Sequence, residues 1–450
     1  MTRPAPAPAS HAMTFASTPR RRLAAAVIAA FGLGLALLSS LQRDVLPAAP
    51  TGAALAAPER ARTSTQAEIA RLQAAARRAP SASGPRVELA TAYLQRVRET
   101  GDPSLYGRAD ALLSGVLARE PRNTGALVER AGLALSRHDF RLALELARRA
   151  QRLEPASVAA LPPLVDALVE LGRHDEAERT LQRLLDLKPN LSAYARVSYL
   201  RELRGDLRGA ASALALAAAA GGPAAENVAA IEVLRGDLAL VRGRRASARR
   251  AYAMALALVP GYAPAQAGRA RLAAYSGDLR GAIARWRALV TRLPLPEYAI
   301  ALGEAELAAG QARAGRDDLA LVGAEQDLLG RAGVNSDAEL AVFEADHGDG
   351  ARALRLARRA WAAAPGLRSA DALGWALTRT GRPREGMTWA ARARRLGSAD
   401  PLFAYHAAVA ARATGDRRES RRLLRFALAH GLATRPWQAR TARRLLGGGR

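Results

Sequence analysis

The strongest constraint on this chain is a spacing. Pro121, Pro155, Pro189 and Pro223 stand 34 residues apart, and Pro260 and Pro294 repeat the interval. A step of that length holds two antiparallel helices and a turn, and so small a unit cannot bury its apolar face alone, so copies must stack. The prolines mark where second helices stop, because a helix-interior proline loses an N–H and clashes with the preceding turn, costing about 3 kcal/mol. Glycines keep the same phase. Gly172, Gly205, Gly243, Gly277, Gly310, Gly381 and Gly415 each follow a first helix, in strings such as LGRHDEA, RGDLRGA and TGDRRES. There a glycine accepts the left-handed backbone that ends one helix and opens the turn.

The interior positions agree. Ala143 and Ala150 precede Pro155 at the offsets at which Ala248 and Ala255 precede Pro260, with Tyr252 between the latter pair. Small residues there let two helices approach, and a bulky replacement would overpack by about 1–3 kcal/mol. Half the residues are hydrophobic but only 4% are aromatic, so the core must be alanine and leucine in close-packed helices. The expected fold class is all-α: an α-solenoid of about ten helical hairpins over 86–432. Residues 42–85 read as a linker with a short helix at 65–78, and 433–450 as a capping helix and tail. Residues 323–334 break the pattern, and a longer helix or an irregular connection is expected there.

At this point the units resemble the tetratricopeptide repeat family, most clearly in NTGALVERAGLALSRHDFRLALELARRAQRLEP and SVAALPPLVDALVELGRHDEAERTLQRLLDLKP. The strings YLRELRGDLRGA, LPLPEYAIALGE and GVNSDAELAVFEADHGD are similar to a group of bacterial tetratricopeptide proteins. The resemblance covers residues 86–430 and implies binding of a protein or peptide in a concave groove lined by the first helices. Some members grip a terminal carboxylate with Lys and Asn on successive first helices. Here the equivalent faces offer Val128, Gly132, Asp166, Tyr199 and Asp237, so that clamp is missing.

The N-terminus carries an address of its own. After a Pro/Ala/Ser-rich tail over 1–19 come Arg20, Arg21 and Arg22 and an uncharged run from Leu23 to Leu41. As a helix that run would be about 28 Å long, close to the roughly 30 Å of a hydrocarbon core. The expectation is a signal anchor or signal peptide over 20–41. The nearest small-residue cleavage pattern, Ala54-Leu55-Ala56, lies well past Leu41, which favours an anchor. The arginines precede the segment, which would place the protein in the bacterial inner membrane, single-pass, with the solenoid in the periplasm. The alternative is an exported periplasmic form after cleavage.

The formal net charge of +26 raises nucleic acid or another anionic polymer as a partner, the alternative function. Lys188 is the only lysine, however, and Arg runs such as Arg148-Arg149 and Arg421-Arg422 fall on second helices, where a solvated face is the simpler reading. Cysteine is absent, which removes disulfides, thiolate metal sites and cysteine nucleophiles. The six histidines show no i, i+4 pair, and no phosphate-binding loop or nucleophile elbow occurs. No catalytic residue, cofactor or metal is nominated. His138 and His174 read as solvated turn residues, and Asp346, His347 and Asp349 as helix capping. Trp286, Trp361, Trp375 and Trp389 read as packing residues. Tyr199, Tyr275 and Tyr405 lie on first helices and are the candidate binding residues, which makes the expected function a non-enzymatic interaction scaffold.

Overall fold

A computed structural model describes residues 65–222 and 224–447, and every regular element among them is helical. A lone helix, α1 (Thr65–Arg78), packs on ten hairpins. They are α2 (Gly84–Thr100) with α3 (Ser104–Arg119), α4 (Thr124–Ser136) with α5 (Phe140–Leu153), α6 (Leu161–Glu170) with α7 (His174–Leu187), and α8 (Leu191–Leu203) with α9 (Leu207–Ala220). Next come α10 (Ala225–Val241) with α11 (Arg245–Leu258) and α12 (Ala263–Tyr275) with α13 (Leu279–Arg292). In the following unit α14 (Pro296–Ala308) pairs with α15 (Ala312–Ala320), which is interrupted at Leu321 and continues as α16 (Val322–Arg331). Over 323–334, where a longer helix or an irregular connection is expected, regular helix runs on to Arg331, and the interruption lies just before, at Leu321. The last hairpins are α17 (Asp337–His347) with α18 (Gly350–Ala363), α19 (Leu367–Arg379) with α20 (Pro383–Ala393), and α21 (Pro401–Ala413) with α22 (Arg417–Ala429). A 3-10 turn (Leu432–Thr434) leads into α23 (Pro436–Gly447).

Helix α5 shows how sequence makes the unit. Asp139 accepts a hydrogen bond from the Leu142 N–H at 3.1 Å, a cap that contributes about 1 kcal/mol. Ala143, Leu146, Ala147 and Ala150 follow at helical spacing and are all buried, while Arg141, Glu145 and Arg148 lie away from the core. Burying Leu146 alone contributes about 2 kcal/mol. The helix stops at Leu153, two residues before Pro155. The same small-residue logic seats Tyr252 of α11: its ring fills space left by Gly236 and Gly268, and its hydroxyl donates to Asp237 Oδ1 at 2.6 Å.

The superhelix is tighter than an open solenoid. The Asn335 N–H donates to Arg137 O at 2.9 Å, and His138 Nδ1 lies 2.8 Å from Asn335 O, although the two residues are 197 positions apart. Arg141 donates to the carbonyls of Ala362 and Ala363, and Arg395 to that of Gly172. At Gly172 the backbone has φ +73°, and a Cβ there would sit 2.5 Å from Pro365 O. Hairpin turns of one superhelical coil thus rest on the inter-unit loops of the coil about six repeats later. Across the axis, Gln438 Nε2 donates to Glu304 Oε1 at 2.8 Å, 134 residues away. The concave groove expected along the first helices is thus narrowed into a channel where distant repeats meet.

One expectation is overturned. Among the described residues no helix is long and apolar enough to cross a membrane. The longest, α2 and α10, have 17 residues, about 25 Å, and carry charges. The single-pass periplasmic placement is therefore corrected, as is the exported alternative. Residues 20–41, on which both rested, and the tail over 1–19 lie outside the described residues.

Candidate binding site in the central channel

First helices line the channel because their inward positions face the superhelix axis. A cavity of about 220 Å³ is walled by α14, α17, α19, α21 and α23. Its charged lining is Glu304, Glu339, Asp346, Asp371 and Asp400 against Arg368 and Arg435, with Phe343 and Phe403 between them. Five carboxylates against two guanidinium groups make an acidic surface inside a chain whose net charge is +26.

Three of these acids join a buried network. His347 Nε2 lies 3.2 Å from Glu304 Oε1, and its ring packs against Trp437 with centroids 4.8 Å apart. Trp375 Nε1 donates to Asp346 Oδ1 at 3.1 Å, and His406 Nδ1 sits 2.8 Å from Asp371 Oδ2 while its ring stacks on Trp375 at 4.2 Å. Burial pushes Asp346 up to about 6 despite the attraction of His406. Burial would lower His347, but the hydrogen bond and charge of Glu304 outweigh it and hold the imidazole above its ordinary value. The capping expected of this stretch is met by Asp349, which accepts from the Ala351 N–H at 2.8 Å. Asp346 and His347 instead point inward.

A neighbouring cavity of about 170 Å³ shares Arg368, Asp400, Pro401 and Phe403 with the first. Tyr199 lines it, donating its hydroxyl to Glu170 Oε1 at 2.9 Å. Glu202, also in the wall, is pushed up to about 7 by burial. His174 lines it too and is only 5% exposed, with neither ring nitrogen hydrogen-bonded. Burial and then the nearby Arg395 and Arg204 push it down to about 4. His138 and His174 were expected in solvated turns; instead His174 is buried and His138 half-buried, because those turns dock on the next coil.

The three candidate tyrosines are not brought together. Tyr199 faces a cavity. Tyr275 is half-buried beneath the Arg245 guanidinium, 5.6 Å from its ring centre. Tyr405 is 2% exposed and packs on Trp375 at 5.9 Å, behind the cavity wall. Trp286 and Trp375 are buried, and Trp361 meets Trp389 edge to face at 4.7 Å, the packing roles expected of them. Sequence reasoning passed over Glu304, Asp371 and Gln438; their inward helical positions were visible in the repeat phase, but their convergence depends on superhelical pitch.

The tetratricopeptide repeat family matches residues 134–198, which run from the end of α4 through α5, α6 and α7 into α8. No curated protein matches the chain. Among solved structures, the human IFIT1 dimer with PPP-AAAA is similar at 16% identity and a TM-score of 0.46, over 74% of this chain and 78% of that one. The Cut9–Hcn1 hetero-tetramer of APC/C aligns over 85% of this chain and 93% of that one, at 14% identity and a TM-score of 0.35. A tetratricopeptide repeat protein from Parabacteroides merdae aligns over 64% and 98%, at 15% identity and a TM-score of 0.32. With the family match set on residues 134–198 and helical hairpins running from α2 to α22, this is a protein that contains tetratricopeptide repeats.

Proposed function

We propose that this protein is a non-enzymatic interaction scaffold that holds a segment of a protein partner against the first-helix side, and that the segment is basic. The observation that carries the reading is the sign of the lining: five carboxylates to two arginines in the larger cavity. Low-dielectric walls focus that field, so a Lys or Arg side chain entering the channel is attracted more strongly than on an open surface. Tyr199 sits at the second cavity, where a hydroxyl and an aromatic edge suit a peptide.

The test is fluorescence anisotropy with labelled oligoarginine and oligoglutamate peptides of equal length. The basic peptide should bind, the acidic one should not, and Glu339→Gln with Asp400→Asn should weaken binding about tenfold. Equal binding of both peptides, or no effect of the double substitution, would refute the reading.

A second reading has its own observation. The second helices α11, α18 and α22 carry exposed Arg249, Arg250, Arg355, Arg358, Arg422 and Arg425, which suit an anionic polymer on the outer side. Binding of heparin should then fall steeply with salt and ignore substitutions in the channel.

A further inference from the structure

We infer that Glu304, Asp346 and His347 bind one divalent first-row transition metal, with zinc the expected occupant, and that Gln438 completes the site through Oε1. Glu304 and Asp346 also belong to the acidic lining, so a bound dication would lower its excess negative charge, and the metal reading is tested separately from the peptide reading.

Donor atoms of the first three residues all lie within 4.8 Å of one another. Ligands on a tetrahedral ion with bonds of 2.0–2.2 Å are separated by about 3–4 Å, so small side-chain movements close the set. His347 Nε2 and Glu304 Oε1 already stand 3.2 Å apart. The residues come from α14 and α17, with Gln438 from α23, so the superhelix rather than one loop builds the site.

Gln438 supplies the independent observation. It is 1% exposed, its Nε2 is fixed on Glu304, and its Oε1 has no hydrogen-bond partner among the described residues. An acceptor left unsatisfied in a buried place costs about 1–3 kcal/mol, and a cation beside Glu304 would satisfy it. A plain His347–Glu304 ion pair is the competing explanation. It accounts for the His347–Glu304 contact but not for the nearness of Asp346 to both, nor for the solitary amide oxygen. The Trp375 indole N–H on Asp346 Oδ1 is the outer hydrogen bond that orients a metal-bound carboxylate.

The donor set selects the ion. One imidazole nitrogen favours zinc, cobalt or nickel over magnesium or calcium, and two carboxylates balance a dication. Because the cluster borders the cavity, a bound ion would face the channel.

The experiment uses the full chain, stripped with a chelator and titrated with ZnCl2 by calorimetry and with CoCl2 by visible absorption. One ion per chain should bind, and cobalt should show the strong visible bands of a four-coordinate site. His347→Ala and Asp346→Asn should abolish the bands, and Gln438→Leu should weaken affinity about 10-fold. Glu304→Gln, which preserves shape, carries the same expectation as His347→Ala, so poor folding of one variant, judged by circular dichroism, leaves the other decisive. Glu339→Gln should leave metal binding unchanged, which separates this site from the peptide reading. Absence of stoichiometric binding, or binding that survives both Glu304→Gln and a folded His347→Ala, would overturn the inference.

Discussion

Replacing Gly172 by alanine should injure the protein in two separable ways. The turn has φ +73°, and a non-glycine residue held in the left-handed region costs about 1–2 kcal/mol. The added methyl would also sit 2.5 Å from Pro365 O, on the neighbouring coil, far inside ordinary contact. Either the turn or the Pro365–Gly366 loop must withdraw, and the Arg395 hydrogen bond to Gly172 O, 3.3 Å long, goes with it. Overpacking of this kind adds about 1–3 kcal/mol, for a total of about 2–5 kcal/mol. Gly381 is the matched control: its φ is +80°, and nothing lies within 4 Å of where its Cβ would be. Gly381→Ala should therefore carry only the backbone cost of about 1–2 kcal/mol. Chemical unfolding followed by far-ultraviolet circular dichroism gives the two midpoints, and small-angle X-ray scattering gives the radius of gyration. Gly172→Ala should unfold earlier than Gly381→Ala and expand the particle. Equal midpoints with superimposable scattering curves would refute the coil-on-coil contact.

Other outcomes follow from the buried charges. Arg196 and Asp166 are 1% and 2% exposed and paired through Nε–Oδ1 at 2.9 Å and Nη2–Oδ2 at 2.6 Å, so Arg196→Leu should cost about 3–5 kcal/mol. The double variant Arg196→Leu/Asp166→Leu should recover much of that loss in the same unfolding assay, since no charge is left stranded. Burial pushes Glu297 up to about 8 and Glu202 and Glu325 up to about 7, from an ordinary 4.5. Above pH 4.5 the unfolded chain has released these protons while the folded chain keeps them, so the contribution of these three groups is greatest below that pH and falls as pH rises towards 8, opposed by His174 only below about pH 6.5. Unfolding midpoints at pH 5.5 and pH 8 measure this, and a higher midpoint at pH 8 would contradict it.

Local structure was legible because its signals are local. Proline and glycine phase marked the hairpins, and the interruption at Leu321 falls at the border of the stretch whose phase fails. His138 shows the limit of that reading. It holds the left-handed turn position, φ 57°, that glycine holds in other units, and only the approach of Asn335 explains what its ring does there. His174 was misread for the same reason: a turn that looks solvated in one hairpin is covered by another. The channel acids were invisible as a group, because Glu304 and Gln438 meet only after the small rotation between neighbouring repeats has accumulated over several units. The hydrophobic pattern fixes that rotation weakly, since alanine-rich faces tolerate a range of crossing angles.

The meeting of distant coils also bears on how such a chain can change over evolutionary time. A repeat array with free ends can gain or lose a hairpin in its middle, because each unit knows only its neighbours. Here His138 meets Asn335, Gly172 meets Pro365 and Gly431 meets Leu240, so removing one intervening hairpin would shift every partner by about 34 residues at once. The number of repeats between the coils is thereby locked, as the tooth count is locked between two engaged gears.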